Sequence, residues 1–146
     1  MFSVDKQLNY GHSIIMSYAN RLDCKSVLDL DDGQGINLDI FKNRHPVIKS
    51  VEVENWSYNI KIPEKNGHEV CGADMEREKH TFDDNSIDCI ILSQLLEHTK
   101  DIFWKIHECM RVLSYSGSLI MGVPILAALH NRIPLLFGKQ PSCIQI

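Results

Sequence analysis

The chain has 146 residues, of which 44% are hydrophobic and 23% charged; this suits one globular domain and excludes a disordered tail or a multidomain machine. At this size a domain buries roughly 70% of the surface its unfolded chain exposes, so the core needs no disulfide or metal staple and is large enough for an enzyme. Fifteen Lys and Arg against nineteen Asp and Glu leave a formal charge of −4, which argues against nucleic acid as a partner, because such affinity depends on neutralising many phosphates.

Val4, Leu8, Ile15, Tyr18 and Leu22 recur on one helical face, so residues 4–22 read as an amphipathic helix ending near Asp23. Residues 26–30 form a short apolar run that stops at the glycine turn 31–35, and Ile36, Ile40 and Phe41 then share one side of a helix over 36–42. Residues 47–53 alternate with β-branched side chains as a second strand, followed by a polar helix over 57–65 that Pro63 limits. Residues 69–73 are a short third strand, 82–86 a turn, and 87–92 a strongly apolar fourth strand. Asp101 is placed to cap a helix whose apolar face is Ile102, Phe103, Ile106, Met110 and Leu113; residues 114–118 break it before a fifth strand over 119–123. Pro124 opens a last helical pattern, with Ile125, Leu129 and Ile133 in phase until Pro134. Strand and helix alternate, and parallel neighbours need crossover connections, so the expectation is an α/β domain with a mostly parallel sheet.

Five cysteines (Cys24, Cys71, Cys89, Cys109, Cys143) without a C-x-x-C pair fit a reducing compartment rather than a disulfide framework or a zinc site. The histidines lack the i, i+4 spacing of a helical zinc pair, so no metal is expected. Asp5, Lys6, Asn9 and His12 interrupt the opening residues, which rules out a signal-peptide core there. No run approaches the roughly 20 apolar residues of a membrane span. A soluble, cytoplasmic protein is the expectation.

In an open parallel sheet, ligands bind beyond the carboxyl ends of the strands, near the point where strand order reverses. The turn after the first strand lies there; Gly33 and Gly35 allow close backbone approach, and the next helix offers unpaired N–H groups. Some twenty residues on, Glu54, or failing it Glu52, ends the second strand where a carboxylate can accept both hydroxyls of a ribose.

Residues 27–35, V-L-D-L-D-D-G-Q-G, resemble the V-L-D-L-G-C-G-x-G loop of class I S-adenosylmethionine (SAM)-dependent methyltransferases. Asp74 and residues 82–98, F-D-D-N-S-I-D-C-I-I-L-S-Q-L-L-E-H, are similar to that family's D…F-x-D-N-S-F-D…L-E-H pattern, and residues 108–113 with Gly117 resemble E-x-x-R-V-L-K-P-G-G. The resemblance runs from Val27 to Pro124. It implies a Rossmann-like, doubly wound sheet of five strands in the order 3-2-1-4-5 with helices on both faces. It also implies SAM as cofactor, S-adenosylhomocysteine (SAH) as product, and a small-molecule acceptor left unidentified. Asp29, Asp31, Gly33 and Gly35 would then surround the methionine part of SAM, Glu54 the ribose, Asp74 and Met75 the adenine, and Ser93 with Leu95 the wall beside the sulfonium. The resemblance assigns no catalytic residue; Asp88, Glu97, His98 and Arg111 match its pattern with structural roles expected.

The chain departs from the pattern at Asp31, which replaces the loop's first glycine, and at Tyr115-Ser116-Gly117, where P-G-G is usual. Residues 123–141 resemble the acceptor-side region of MetW-like (type 11) methyltransferases, and the family's last two strands have no counterpart in the sequence. The expected plan is one domain over 1–146: an N-terminal helix to residue 23, a SAM-binding core over 24–123 and a truncated acceptor-side segment over 124–146. An unpaired fifth strand would invite a homodimer along the sheet edge. Residues 125–137 read first as a helix covering the sheet, and second as an amphipathic surface for lipid or a partner. Two functions compete: an active methyltransferase, and a degenerate methyltransferase-like binding or assembly module. An NAD-dependent oxidoreductase ranks below both, because the third glycine of its motif would fall at Leu38.

Overall fold

Ser26–Leu30 (β1) is buried at every position, which is the signature of a central parallel strand covered on both faces. The computed structural model describes residues 13–19, 21–30, 36–44, 49–54, 68–72, 79, 81–123 and 129–139. After a helix over residues 13–19 (α1) and β1 come Ile36–Arg44 (α2), Lys49–Glu54 (β2), Glu69–Gly72 (β3) and Ile87–Ser93 (β4). A single 3-10 turn, Leu96–His98, leads to Ile102–Val112 (α3), Leu113–Gly122 (β5) and Leu129–Leu136 (α4). The expected polar helix over 57–65 lies outside the described residues.

The sheet has five strands in the order β3-β2-β1-β4-β5, all pairs parallel, as the resemblance implies. Leu30 lies opposite Val53 of β2 on one side and Leu92 of β4 on the other. Strand order therefore reverses at β1 and β4, and their carboxyl ends flank the crevice. Alternate residues of these strands feed two cores. Leu28, Leu30, Ile90 and Leu92 pack with Cys109 and Val112 of α3, while Val27, Cys89 and Ile91 pack with Met16 and Ala19 of α1 and Leu38 and Phe41 of α2. Helices thus cover both faces.

Asp101 caps α3 as its position predicts, its carboxylate accepting the Trp104 N–H at 2.9 Å. The buried face of α3 differs from the expected one in part: Leu113 is buried and Ile106 half-buried as expected, but Lys105, Glu108, Cys109 and Val112 are inside while Ile102, Phe103 and Met110 are exposed. The burial of Glu108 has an electrostatic cause. Arg111 forks onto Glu108, with Nε and Nη2 donating at 2.9 and 2.6 Å, and Nη1 donates to the Phe82 carbonyl at 2.9 Å and to Asp84. The turn before β4 completes the joint: the Asn85 and Ser86 N–H groups donate to the Arg111 and Val112 carbonyls at 2.9 and 2.8 Å, satisfying the end of α3. The two motifs at 82–86 and 108–113 are therefore halves of one clamp.

Other expectations are corrected by packing. Tyr18 is exposed, and α1 instead turns Met16 and Ala19 inward. The break expected over 114–118 is a long bulge within β5: Ile87 pairs with Leu113 and Cys89 with Ser118, so the intervening residues loop out of register. The last helix continues through Pro134 to Leu136 rather than stopping there. Ile133, Leu135, Leu136 and Phe137 are exposed, so these residues do not cover the sheet.

Candidate functional site

Because every strand is parallel, the described strand-end residues singled out from sequence, Asp29, Glu54 and Ser93, lie at one end of the sheet. Asp29 and Leu30 end β1, Glu54 ends β2 opposite Gly72 of β3, and Ser93 ends β4 opposite Gly122 of β5. Asp29 is fully buried on the face covered by α1 and α2. The neighbouring Cys89 thiol registers its field: burial first, then Cys24 and Asp29, push that thiol up to about 12. Glu54 is described through its backbone only, as the last residue of β2. Asp31, Gly33, Gly35, Asp74 and Met75 lie outside the described residues.

The exit of β4 is built with backbone strain. Gln94 has φ +58°, a left-handed conformation uncommon for a side chain of its kind, and its N–H donates to the Gly122 carbonyl at 2.8 Å. That bond holds the chain as it leaves the sheet, with Ser93 half-buried at the strand tip and Leu95 folded into the core. Gly122 matters because a Cβ there would stand 2.3 Å from Ile15 Cδ1, so its absence lets α1 approach the tip of β5. Neither Gln94 nor Gly122 was singled out from sequence; a positive φ at glutamine leaves no compositional trace, and Gly122 reads as an ordinary strand glycine. His98, which follows Glu97 in the 3-10 turn, is exposed, with its N–H donating to the Leu95 carbonyl at 3.0 Å.

Asp88 works at the opposite end of the sheet. Its carboxylate accepts the Lys25 and Ser26 N–H groups at 2.9 and 3.2 Å and the Ser114 hydroxyl at 3.3 Å, fastening the start of β1 to β4. These bonds, the Lys25 N–H foremost, hold its carboxyl below the usual carboxylate range. A polar cleft of about 240 Å³ lies beside it, lined by Cys24, Lys25, Ser116 and Ser118 among others, at the amino ends of the strands and away from the crevice. Among the described residues no group of three or more His, Cys, Asp and Glu is placed to hold a metal ion.

The sequence from Leu28 to Met121 matches the methyltransferase domain model, which is well over half of the chain and runs from within β1 to within β5. The chain belongs to the methyltransferase domain family. Solved structures of this fold agree with its architecture. A SAM-dependent methyltransferase from Archaeoglobus fulgidus is 22% identical with a TM-score of 0.69, the match covering 89% of this chain and 62% of that one. Coclaurine N-methyltransferase bound to N-methylheliamine and SAH is 21% identical with a TM-score of 0.68, covering 82% and 37%. The methyltransferase of Haloferax volcanii in complex with its Trm112 activator is 19% identical with a TM-score of 0.66, covering 82% and 55%. This methyltransferase-family chain thus spans from 37 to 62% of the length of those structures. No curated protein matches it in sequence.

Proposed function

We propose that this chain is the cofactor-binding domain of a SAM-dependent methyltransferase acting on a small-molecule acceptor, with SAH as coproduct. The observation that carries the reading is the coincidence of the family match over residues 28–121 with an all-parallel sheet whose β1, β2 and β4 tips bring Asp29, Glu54 and Ser93 to one edge. The donor set suits the cofactor. Two carboxylates on adjacent strand tips match an ammonium and a pair of ribose hydroxyls, and Leu95 contributes an apolar wall. When bound, SAM supplies a methyl group on a sulfonium, already electrophilic.

The protein's part is to bind and align. Asp29 would face the ammonium of the methionine end, and Gly33 and Gly35 would leave room there for close backbone approach. Glu54 would hold the ribose, Asp74 and Met75 the adenine, and Ser93 with Leu95 would bound the reacting end. Methyl transfer from a sulfonium draws most of its rate from alignment of nucleophile, carbon and leaving sulfur, so the reading assigns no general base. Assembly as a homodimer along the outer strand β5, where Met121 is exposed, belongs to the same reading; a monomeric elution volume refutes that part.

Calorimetric titration of the full chain with SAM and SAH tests the proposal. Saturable binding that weakens about tenfold or more in Asp29→Asn, for the loss of one buried charged partner, supports it. Binding by Asp31→Gly but not by the wild type identifies a degenerate, non-catalytic module. No binding by either overturns the assignment of the crevice.

A further inference from the structure

A buried joint ties α2 to the start of β3. The His68 side chain is fully buried immediately before β3, and its Nε2 lies 2.7 Å from Oδ1 of Asp39, whose side chain is 39% accessible. A carboxylate only accepts, so Nε2 carries the proton and donates. The two residues are 29 positions apart and stand on two supports of the crevice. Asp39 is the fourth residue of α2, in its first turn, and α2 begins directly after the glycine turn over 31–35. β3 pairs with β2 from Glu69 to Gly72, which ends opposite Glu54, and the chain then runs on to Asp74 and Met75.

This bond supplies what apolar packing lacks. Leu38 and Phe41, both fully buried, seat one face of α2 in the core shared with Val27, Cys89 and Ile91. Such contacts are non-directional, so by themselves they fix the rotation of a nine-residue helix only loosely. A hydrogen bond is directional, and Asp39 lies about 100° around the helix axis from Leu38. It is a third fixed point, off the line through Leu38 and Phe41, and it sets that rotation. The anchored end is His68, because β3 is held by its ladder to β2 and a ring nitrogen left unpaired in the interior keeps its full desolvation penalty. The end that is held is the first turn of α2.

We propose that His68 is a positioning residue for the cofactor: through Asp39 it fixes the first turn of α2 directly after the glycine turn, and so sets the affinity for the methionine end of SAM while leaving the adenosine end to β2 and β3. This role rests on the cofactor reading above. A misplacement of about 1 Å in a positioning element is enough to cost a large factor.

Three variants of the full chain test the proposal. His68→Leu removes the donor, His68→Gln keeps an N–H in its place, and Asp39→Ala breaks the bond from its accessible end without touching β3. Hydrogen exchange of the ligand-free protein, read by mass spectrometry, should quicken at least about fivefold over residues 36–42 in His68→Leu and Asp39→Ala, with β4 and α3 unchanged and His68→Gln close to the wild type. Calorimetric titration should show SAH binding weakened at least about tenfold in the same two variants, adenosine binding within about twofold of the wild type, and SAH affinity restored in His68→Gln. A merely structural role would move both ligands alike or neither. If His68→Leu does not fold, Asp39→Ala carries both readouts. Equal loss of SAH and adenosine overturns the proposal, as does wild-type exchange over 36–42 in Asp39→Ala, or SAH affinity in Asp39→Ala equal to that of the wild type. A wild type that binds neither SAH nor adenosine overturns the cofactor reading and the positioning role with it; faster exchange confined to α2 then leaves the bond as a fold contact alone.

Discussion

Replacing Arg111 by methionine tests the clamp between α3 and the turn before β4. The guanidinium is 13% accessible and its principal partner, Glu108, only 2%. Removing the cation strips a buried carboxylate of a two-pronged charged partner, a change that costs about 3 kcal/mol or more. The third prong goes to Asp84, whose side chain is 65% accessible, so that contact contributes under about 1 kcal/mol. For a domain of this size each kcal/mol moves the melting temperature by roughly 3 to 4 °C, so Arg111→Met should melt about 10 °C below the wild type. Urea denaturation followed by circular dichroism gives the free energy directly. Asp84→Asn should lose under about 1 kcal/mol. Glu108→Met combined with Arg111→Met should be more stable than Arg111→Met alone, because the pair then leaves the interior together. An Arg111→Met protein within about 0.5 kcal/mol of the wild type would refute the reasoning, as would a double variant that falls by the sum of the singles.

Three further predictions concern other parts of the fold. Because Asp88 is held below the ordinary carboxylate range, its contribution is complete above about pH 4 and is lost as pH falls through its folded value. The stability gap between wild type and Asp88→Asn, measured by urea denaturation, should thus be widest near neutrality and close in acid; a constant gap would count against it. Burial pushes Cys89 up to about 12 and Cys109 up to about 11, so at about pH 8 both should react with an aromatic disulfide reagent at least about a hundredfold more slowly than in urea, as mapped by mass spectrometry. Gly122→Ala should cost about 1 kcal/mol by displacing Ile15, and Ile15→Ala in the same chain should recover part of it; additive losses would contradict the contact.

Elements and their order were legible in the sequence because they follow from local chemistry. The mostly apolar runs of β1 and β4 mark strands covered on both faces, Asp101 caps a helix three residues before the N–H it accepts, and alternation of strand and helix forces parallel neighbours. The strand-end positions of Asp29, Glu54 and Ser93 follow in turn, since parallel strands put all their carboxyl ends on one edge.

Which face of a helix is buried depended on its partners. Periodicity put Ile102, Phe103 and Met110 inside α3, yet Glu108 is drawn in by Arg111, and Phe82 and Asp84 close the clamp from 27 to 29 residues upstream. Tyr18 stays outside while Met16 and Ala19 of α1 pack against Val27, Cys89 and Ile91 of the sheet. The bulge in β5 and the left-handed Gln94 likewise exist only once β4 and β5 are paired and their register has to be reconciled. Local pattern thus determined the elements, their order and the end of the sheet where Asp29, Glu54 and Ser93 stand; tertiary packing decided which side chains that framework encloses, because burial and ion pairing are settled between segments far apart in the chain.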